Sequence, residues 1–218
     1  TFYTQMTSLR IFEIFYSLQG ESSRVGLPTI FIRLVGCPLR CGYCDTEYAF
    51  KGGSVMPLEQ IMAQIAVYDT PYVCVTGGEP LAQKACIDLL TKLADTGYQV
   101  SLETSGAIDI AAVDKRVKVV MDIKTPGSGE VEKNRWENLP LLKAGDEVKW
   151  VICSREDYDW AKQVLQKETF PAGCDQLFSP SFHDVSGDTL ASWILQDHLK
   201  VRMQLQLHKI LWGEKQGV

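Results

Sequence analysis

Two rhythms of apolar residues alternate along this chain. Short runs rich in Val, Ile and aromatics predict strands at 11–19, 29–35, 72–76, 99–102, 117–121, 147–153, 176–178 and 201–207. Between them, apolar positions three and four apart predict helices at 58–68, with Pro57 as a start signal, and at about 81–95, 155–167 and 189–199. The polar, glycine-containing stretch 127–138 reads as a loop or a poorly ordered insertion. No internal repeat or low-complexity tract interrupts the pattern. Repeated strand–helix units favour a parallel sheet wrapped by helices, and the pattern alone leaves an incomplete barrel and a flat doubly wound sheet equally open.

The polar positions then choose an edge of that sheet. Thr76 to Pro80, Glu103 to Gly106, Asp122 to Lys124 and Ser179 to Pro180 all follow strand ends, which is where parallel α/β architectures place their ligands. Arg33 interrupts an apolar strand. A guanidinium there needs a carboxylate, supplied either by a ligand or by an internal pair with Glu21 or Glu103.

Composition narrows the class. The chain has 218 residues, 45% hydrophobic and 22% charged, which suits one large domain or two small ones. Net charge is −5 and no run of Lys or Arg forms a stripe, so the footprint of nucleic-acid binding is missing from the sequence and a small-molecule partner is expected. No apolar run approaches the roughly 20 residues that span a bilayer. The first six residues lack the charged and apolar regions of a leader, so a cytoplasmic location is expected.

Seven cysteines, an odd number, argue against a secreted disulfide framework. Cys74, Cys86, Cys153 and Cys174 read as small core or loop residues. Cys37, Cys41 and Cys44 are different, because C-x-x-x-C-x-x-C spacing lets three thiolates face one inorganic cluster. With no fourth cysteine nearby, one iron of a 4Fe-4S cube keeps an open position. A structural zinc site is the competing reading, but such sites close with four ligands and no second pair follows. Tyr43 supplies an aromatic wall beside Cys44.

The cysteine motif together with Gly77-Gly78-Glu79-Pro80 resembles the radical S-adenosylmethionine enzymes. The resemblance implies an incomplete (β/α) barrel with about six core parallel strands, formed as a single domain over 1–218 with a cluster-binding loop near 37–53. It also implies S-adenosylmethionine held by the open iron and cleaved reductively to a 5'-deoxyadenosyl radical. A closer resemblance runs through Leu18-Gln19-Gly20-Glu21, Phe31-Ile32-Arg33-Leu34, Cys44-Asp45-Thr46, Glu103-Thr104-Ser105-Gly106 and Gln206-Leu207-His208-Lys209. These are similar, in order, to the 7-carboxy-7-deazaguanine synthase family, which contracts 6-carboxy-5,6,7,8-tetrahydropterin to 7-carboxy-7-deazaguanine with loss of ammonia, in deazapurine and queuosine biosynthesis.

Each role below is what that resemblance implies. The cluster falls to Cys37, Cys41 and Cys44, and Mg2+ to Thr46. S-adenosylmethionine falls to Gly77, Gly78, Glu79, Ser105, Asp122, Ile123, Lys124, Ser179, Pro180, Ser181 and Phe182. The pterin falls to Leu18, Gln19, Gly20, Glu21, Arg33, Thr76 and His208, with Asp45 either touching substrate or acting as a local cap. The glycines would let the backbone approach the methionine moiety, and Glu79 would hold the loop or the ligand. A homodimer and a flavodoxin or ferredoxin as electron donor are implied in the same way. The chain departs from relatives in running on past His208 to Val218, in Asp122-Ile123-Lys124 where some have Ser-Pro-Lys, and in Leu207 where threonine is frequent. A glycyl-radical-enzyme activase, which shares the cysteine spacing, is the alternative activity, and a non-catalytic iron–sulfur or zinc protein is the alternative class.

Overall fold

The structure is a computed structural model that describes residues 7–218; the first six residues, read above for a leader, lie outside the described residues. Its strands are β1 (Ser8–Leu18), β2 (Pro28–Leu34), β3 (Ser54–Pro57), β4 (Tyr72–Gly77), β5 (Gln99–Thr104), β6 (Lys118–Ile123), β7 (Glu147–Ile152), β8 (Asp175–Pro180) and β9 (Arg202–Met203). The helices are α1 (Leu58–Ile65), α2 (Cys86–Asp95), α3 (Arg155–Lys167), α4 (Gly187–Gln196) and α5 (Leu207–Trp212). All nine strands form one sheet in the order β3-β1-β2-β4-β5-β6-β7-β8-β9. From β2 to β8 six neighbours run parallel, β9 extends them in parallel, and β1 is antiparallel to both of its neighbours. Among the described residues β3 and β9 have no outer neighbour, so the expected incomplete barrel is present as an open one.

Period-two alternation sorts each strand between two environments. In β2, Ile30, Ile32 and Leu34 are fully buried in the core with Leu89 and Leu93 of α2, while Phe31 and Arg33 face the inner, concave side. The same split sends Val119, Met121 and Ile123 of β6 to the core, and Val148, Trp150 and Ile152 of β7 with them. It sends Thr76, Glu103, Asp122, Lys149 and Ser179 inward. The lumen therefore mixes these polar and charged side chains with Phe15, Phe31, Val120 and Val151, and is wrapped by an apolar shell.

The turn between β1 and β2 reaches across the beginnings of the strands. Ser23 N–H donates to Glu147 at the start of β7 at 3.0 Å, Lys118 of β6 donates to the Ser23 hydroxyl at 2.7 Å, and Arg24 donates to the Gln99 carbonyl of β5 at 2.8 Å. This turn stops the open barrel from below and raises Gln19, Gly20 and Glu21 into the lumen as a floor.

Four details differ from the sequence reading. α2 begins at Cys86 rather than near 81, because Pro80–Ala82 forms a separate 3-10 turn capped by the Glu79 carboxylate. Strand β3 was not foreseen, and the long final strand is reduced to β9 followed by α5. Residues 127–138 are ordered as short 3-10 turns, Pro126–Ser128, Val131–Lys133 and the start of Trp136–Leu141. Buried Asn138 explains the last: its amide donates to the Gly106 and Ile108 carbonyls and its oxygen accepts from Ile110 N–H. Asn134 likewise pairs with both backbone groups of Lys124.

Candidate active site

Above the floor lies a cavity of about 460 Å³ bounded by the strand ends, the cysteine loop and the C-terminal segment. It gathers Cys37, Cys41, Cys44 and Thr46; Gly77, Gly78, Ser105, Asp122, Lys124, Ser179, Pro180, Ser181 and Phe182; and Leu18, Gln19, Gly20, Glu21, Arg33, Thr76 and His208. Two expected residues do not line it. Ile123 is one position out of phase with Asp122 and joins the core. Glu79 is wholly buried behind the wall.

Glu79 shows why. Its carboxylate accepts from Leu81 N–H at 2.9 Å, from the Thr104 hydroxyl at 2.9 Å, and from the Ser105 N–H and hydroxyl at 2.6 and 2.5 Å. So many donors compensate a buried charge, and they lock the end of β4 to the end of β5. Glu79 holds the loop. The Ser105 hydroxyl spends its proton on Glu79 and keeps only lone pairs for a ligand.

The two glycines have a structural reason beyond ligand access. A Cβ on Gly77, at φ +149°, would lie 2.3 Å from the Leu34 carbonyl oxygen. One on Gly78 would lie 2.3 Å from the Gly36 carbonyl oxygen and 2.7 Å from Cys37 Cβ. The strand end is pressed against the corner that starts the cysteine loop, and Glu79 N–H donates to the Gly36 carbonyl at 2.8 Å.

Within that loop the Arg40 guanidinium donates to the Cys37 and Leu39 carbonyls at 2.8 and 2.6 Å and stacks on Phe50. Burial pushes the Cys41 thiol up to about 11 and raises Cys37 as well, with Lys124 opposing both. Among the described residues no three His, Cys, Asp or Glu groups converge closely enough to hold a metal by themselves. The thiols thus share one wall without being preassembled about a point. Their chemistry fits a cluster whose iron replaces the protons that burial favours.

Charged groups alternate across the lumen. Lys149 Nζ lies 2.7 Å from Glu21 and 3.8 Å from Asp122, and Lys124 Nζ lies 3.0 Å from Asp122 and over the Tyr43 ring. Burial raises the Glu21 carboxyl, but Lys149, Gln206 and His208 outweigh it and hold the group well below its usual range. For Lys149, burial favours the neutral amine and the carboxylates of Glu21, Asp122 and Glu103 more than reverse it. Gln206 donates to the second Glu21 oxygen at 2.6 Å. The Tyr43 hydroxyl and Asp122 Oδ1 are buried with no hydrogen-bond partner among the described residues.

Arg33 is paired, but with neither carboxylate named above. Its cross-strand neighbour Glu13 accepts from Nε at 2.8 Å, and Phe15 and Tyr48 flank the guanidinium. Its two terminal nitrogens make no hydrogen bond among the described residues. Glu103 instead accepts from the Thr76 hydroxyl at 2.8 Å. Asp45 does not cap the turn that follows it; it meets Lys209 of α5 at 3.1 Å. The Thr46 hydroxyl sits 3.8 Å from Cys44 Sγ.

His208 packs on the floor so tightly that a Cβ on Gly20 would lie 2.0 Å from Nδ1. Leu207 N–H donates to the Gly20 carbonyl at 2.9 Å, a backbone contact indifferent to whether a threonine stands there. Residues 213–218 complete the wall, Val218 included. Lys149, Glu103, Gln206, Lys209 and Glu13 were not among the expected ligand contacts. Lys149 carried a signal like that of Arg33, a charge among the apolar residues of a strand, and Glu103 stood in one of the polar clusters at the strand ends.

An open parallel barrel with three thiols at its mouth defines the class, and residues 31–168 match the model of the Radical SAM superfamily. The chain is 45% identical to the 7-carboxy-7-deazaguanine synthase of Chlorobaculum tepidum over 94% of each chain, and 40% identical to that of Koribacter versatilis over 96% of this chain and 100% of the other. In fold it matches the crystal structure of QueE from Escherichia coli with a TM-score of 0.73 at 24% identity, covering 92% of this chain and 95% of that one. The chain belongs to the 7-carboxy-7-deazaguanine synthase family of radical S-adenosylmethionine enzymes. Its cofactors are accordingly a 4Fe-4S cluster and S-adenosylmethionine.

Proposed function

We propose that this cavity converts 6-carboxy-5,6,7,8-tetrahydropterin to 7-carboxy-7-deazaguanine with release of ammonia, as a carbon–nitrogen lyase of deazapurine and queuosine biosynthesis. The observation that carries the reading is the polar lumen: Glu21, Arg33, Thr76 and Glu103 share one small cavity with the three cysteines. When bound, the cluster and S-adenosylmethionine supply a carbon radical that abstracts hydrogen. The protein's own task is to seat the pterin beneath it and exclude water.

Arg33 is built to take a carboxylate, since Glu13 fixes its Nε side and leaves the terminal nitrogens for a ligand. Glu21 and Glu103 are acceptors for the N–H edge of an aminopyrimidinone, with His208 and Gly20 closing the floor beside them. On the cofactor side, Lys124 is a cation for the methionine carboxylate, and Gly77, Gly78, Ser105, Asp122 and residues 179–182 form the surrounding wall. Thr46 offers one neutral oxygen for Mg2+, which keeps several waters and borrows substrate oxygens. A cavity faced by charged groups and bounded by residues 213–218 suits a small acid better than the protein loop of an activase.

No described helix is long and apolar enough to cross a membrane. A cytoplasmic homodimer reduced by flavodoxin or ferredoxin completes the proposal; a low-potential cluster needs such a donor. The test is direct. Anaerobically reconstituted protein, incubated with the pterin, S-adenosylmethionine, Mg2+ and dithionite, should form the deazapurine acid, and S-adenosylmethionine cleavage without that product would overturn the assignment.

A further inference from the structure

The lumen holds one ammonium between two carboxylates. Lys149 sits 2.7 Å from Glu21 on the floor and 3.8 Å from Asp122 Oδ2 on the cofactor wall. Lys124 Nζ already occupies that same Asp122 oxygen at 3.0 Å, while Asp122 Oδ1 is buried and bare. The four charges are interdigitated, each side chain no more than 16% exposed. At these separations in a poorly solvated space, moving one member changes what its neighbours need.

We propose that Lys149 is a positioning residue that couples substrate to cofactor. A pterin that donates its N–H edge to Glu21 takes over the hydrogen bond that Lys149 makes there. The ammonium then closes on Asp122, whose unpartnered oxygen makes it the carboxylate with most to gain. Asp122 in turn loosens its hold on Lys124, which is released toward the carboxylate of S-adenosylmethionine. The relay moves no proton and breaks no covalent bond, and Glu21, Asp122 and Glu103 favour the charged form of Lys149. It rests on the substrate reading given above and adds to it a reason for the enzyme to grip its cofactor only when the pterin is present.

The experiment is calorimetric titration of cluster-reconstituted protein with S-adenosylmethionine, without and with saturating 6-carboxytetrahydropterin. In the unaltered protein the pterin should tighten cofactor binding by about fivefold or more, the lower end of ordinary allosteric coupling. In Lys149→Met that ratio should fall to about one, with iron content unchanged. A merely structural role would weaken both affinities together and leave the ratio intact. Removing one member of a buried pair can prevent folding, so the milder Lys149→Gln protein, which keeps a donor for Glu21 but has no charge to bring to Asp122, should show the same loss of ratio. Unaltered protein that takes no pterin overturns the substrate reading and the coupling with it. Pterin binding with no coupling in the unaltered protein, or with a ratio preserved in both variants, overturns the role of Lys149 alone.

Discussion

At the mouth of the cavity, Glu79 finds its partners two, 25 and 26 residues further along the chain. At the floor, Glu21 and Ser22 find theirs 128, 185 and 182 residues away, in Lys149, Gln206 and Gln204. Both halves are buried and densely hydrogen-bonded, yet they are made differently. The mouth is a property of adjacent strand ends, held backbone to backbone through glycines. The floor is a property of the closed fold, in which Ser22 is kept at φ +67° by a glutamine from the far end of the chain. On the proposed roles, placement of the radical and placement of the substrate would be carried by separate contacts.

Perturbations can break or sharpen that contrast. The largest effect belongs to Cys41→Ala, which should leave two thiolates and no retained cube; iron and sulfide analysis after anaerobic reconstitution, with loss of visible absorbance, reads it. Next come two glycine substitutions that ought to diverge. Gly78→Ala drives a methyl group into the Gly36 carbonyl and Cys37, so urea denaturation should show a loss of about 3 kcal/mol. Gly20→Ala first meets the His208 ring, a movable side chain. Its melting temperature should hold within a few degrees while pterin affinity falls about tenfold or more, one such factor being roughly 1.4 kcal/mol. Equal losses of stability in the two would erase the distinction between mouth and floor.

Glu79→Gln keeps the shape but turns charge-assisted acceptors into a mixed donor and acceptor facing Ser105 N–H. A cost of about 2 kcal/mol in the same denaturation assay is expected. The smallest change is Lys209→Ala: its partner Asp45 is half exposed, and such pairs contribute below about 1 kcal/mol. The variant should melt almost normally, and a larger shift would mean that α5 carries more of the floor than its contacts indicate.

Most of the fold was legible because the core obeys alternation: β2, β4, β5, β6, β7 and β8 were each foreseen as apolar runs, with α1, α2 and α3 as the crossovers to β4, β5 and β8, whereas the crossovers to β6 and β7 are made by turns alone. Exceptions have local causes. Asn138 and Asn134 order residues 127–138 through hydrogen bonds that no hydrophobic rhythm reports. Pro80–Ala82 detaches from α2 because a carboxylate caps it.

In the site, Glu79 illustrates the limit of a motif. Its position beside Gly77-Gly78 left open whether it holds the loop or the ligand, and only the register of β4 and β5 brings Thr104 and Ser105 onto it. Arg33 was conspicuous as a charge in an apolar strand, yet its partner Glu13 emerges only from the pairing of β1 with β2. Lys149 was equally conspicuous in Glu147-Val148-Lys149-Trp150-Val151-Ile152. What sequence could not supply was the turn that brings Glu21 beneath it.

The stopper formed by the first turn has a consequence for the order of assembly. A chain made from its N-terminus exposes Gln19, Gly20 and Glu21 early, while Lys149, Gln204 and Gln206 do not yet exist. Strands β2 through β6 can pair and set the glycine corner in the meantime, but the floor must wait for Lys149, Gln204 and Gln206. Contacts closing loops of this length are the slow ones. A nascent chain would therefore set the corner beside its cysteine loop well before it could close the floor beneath it.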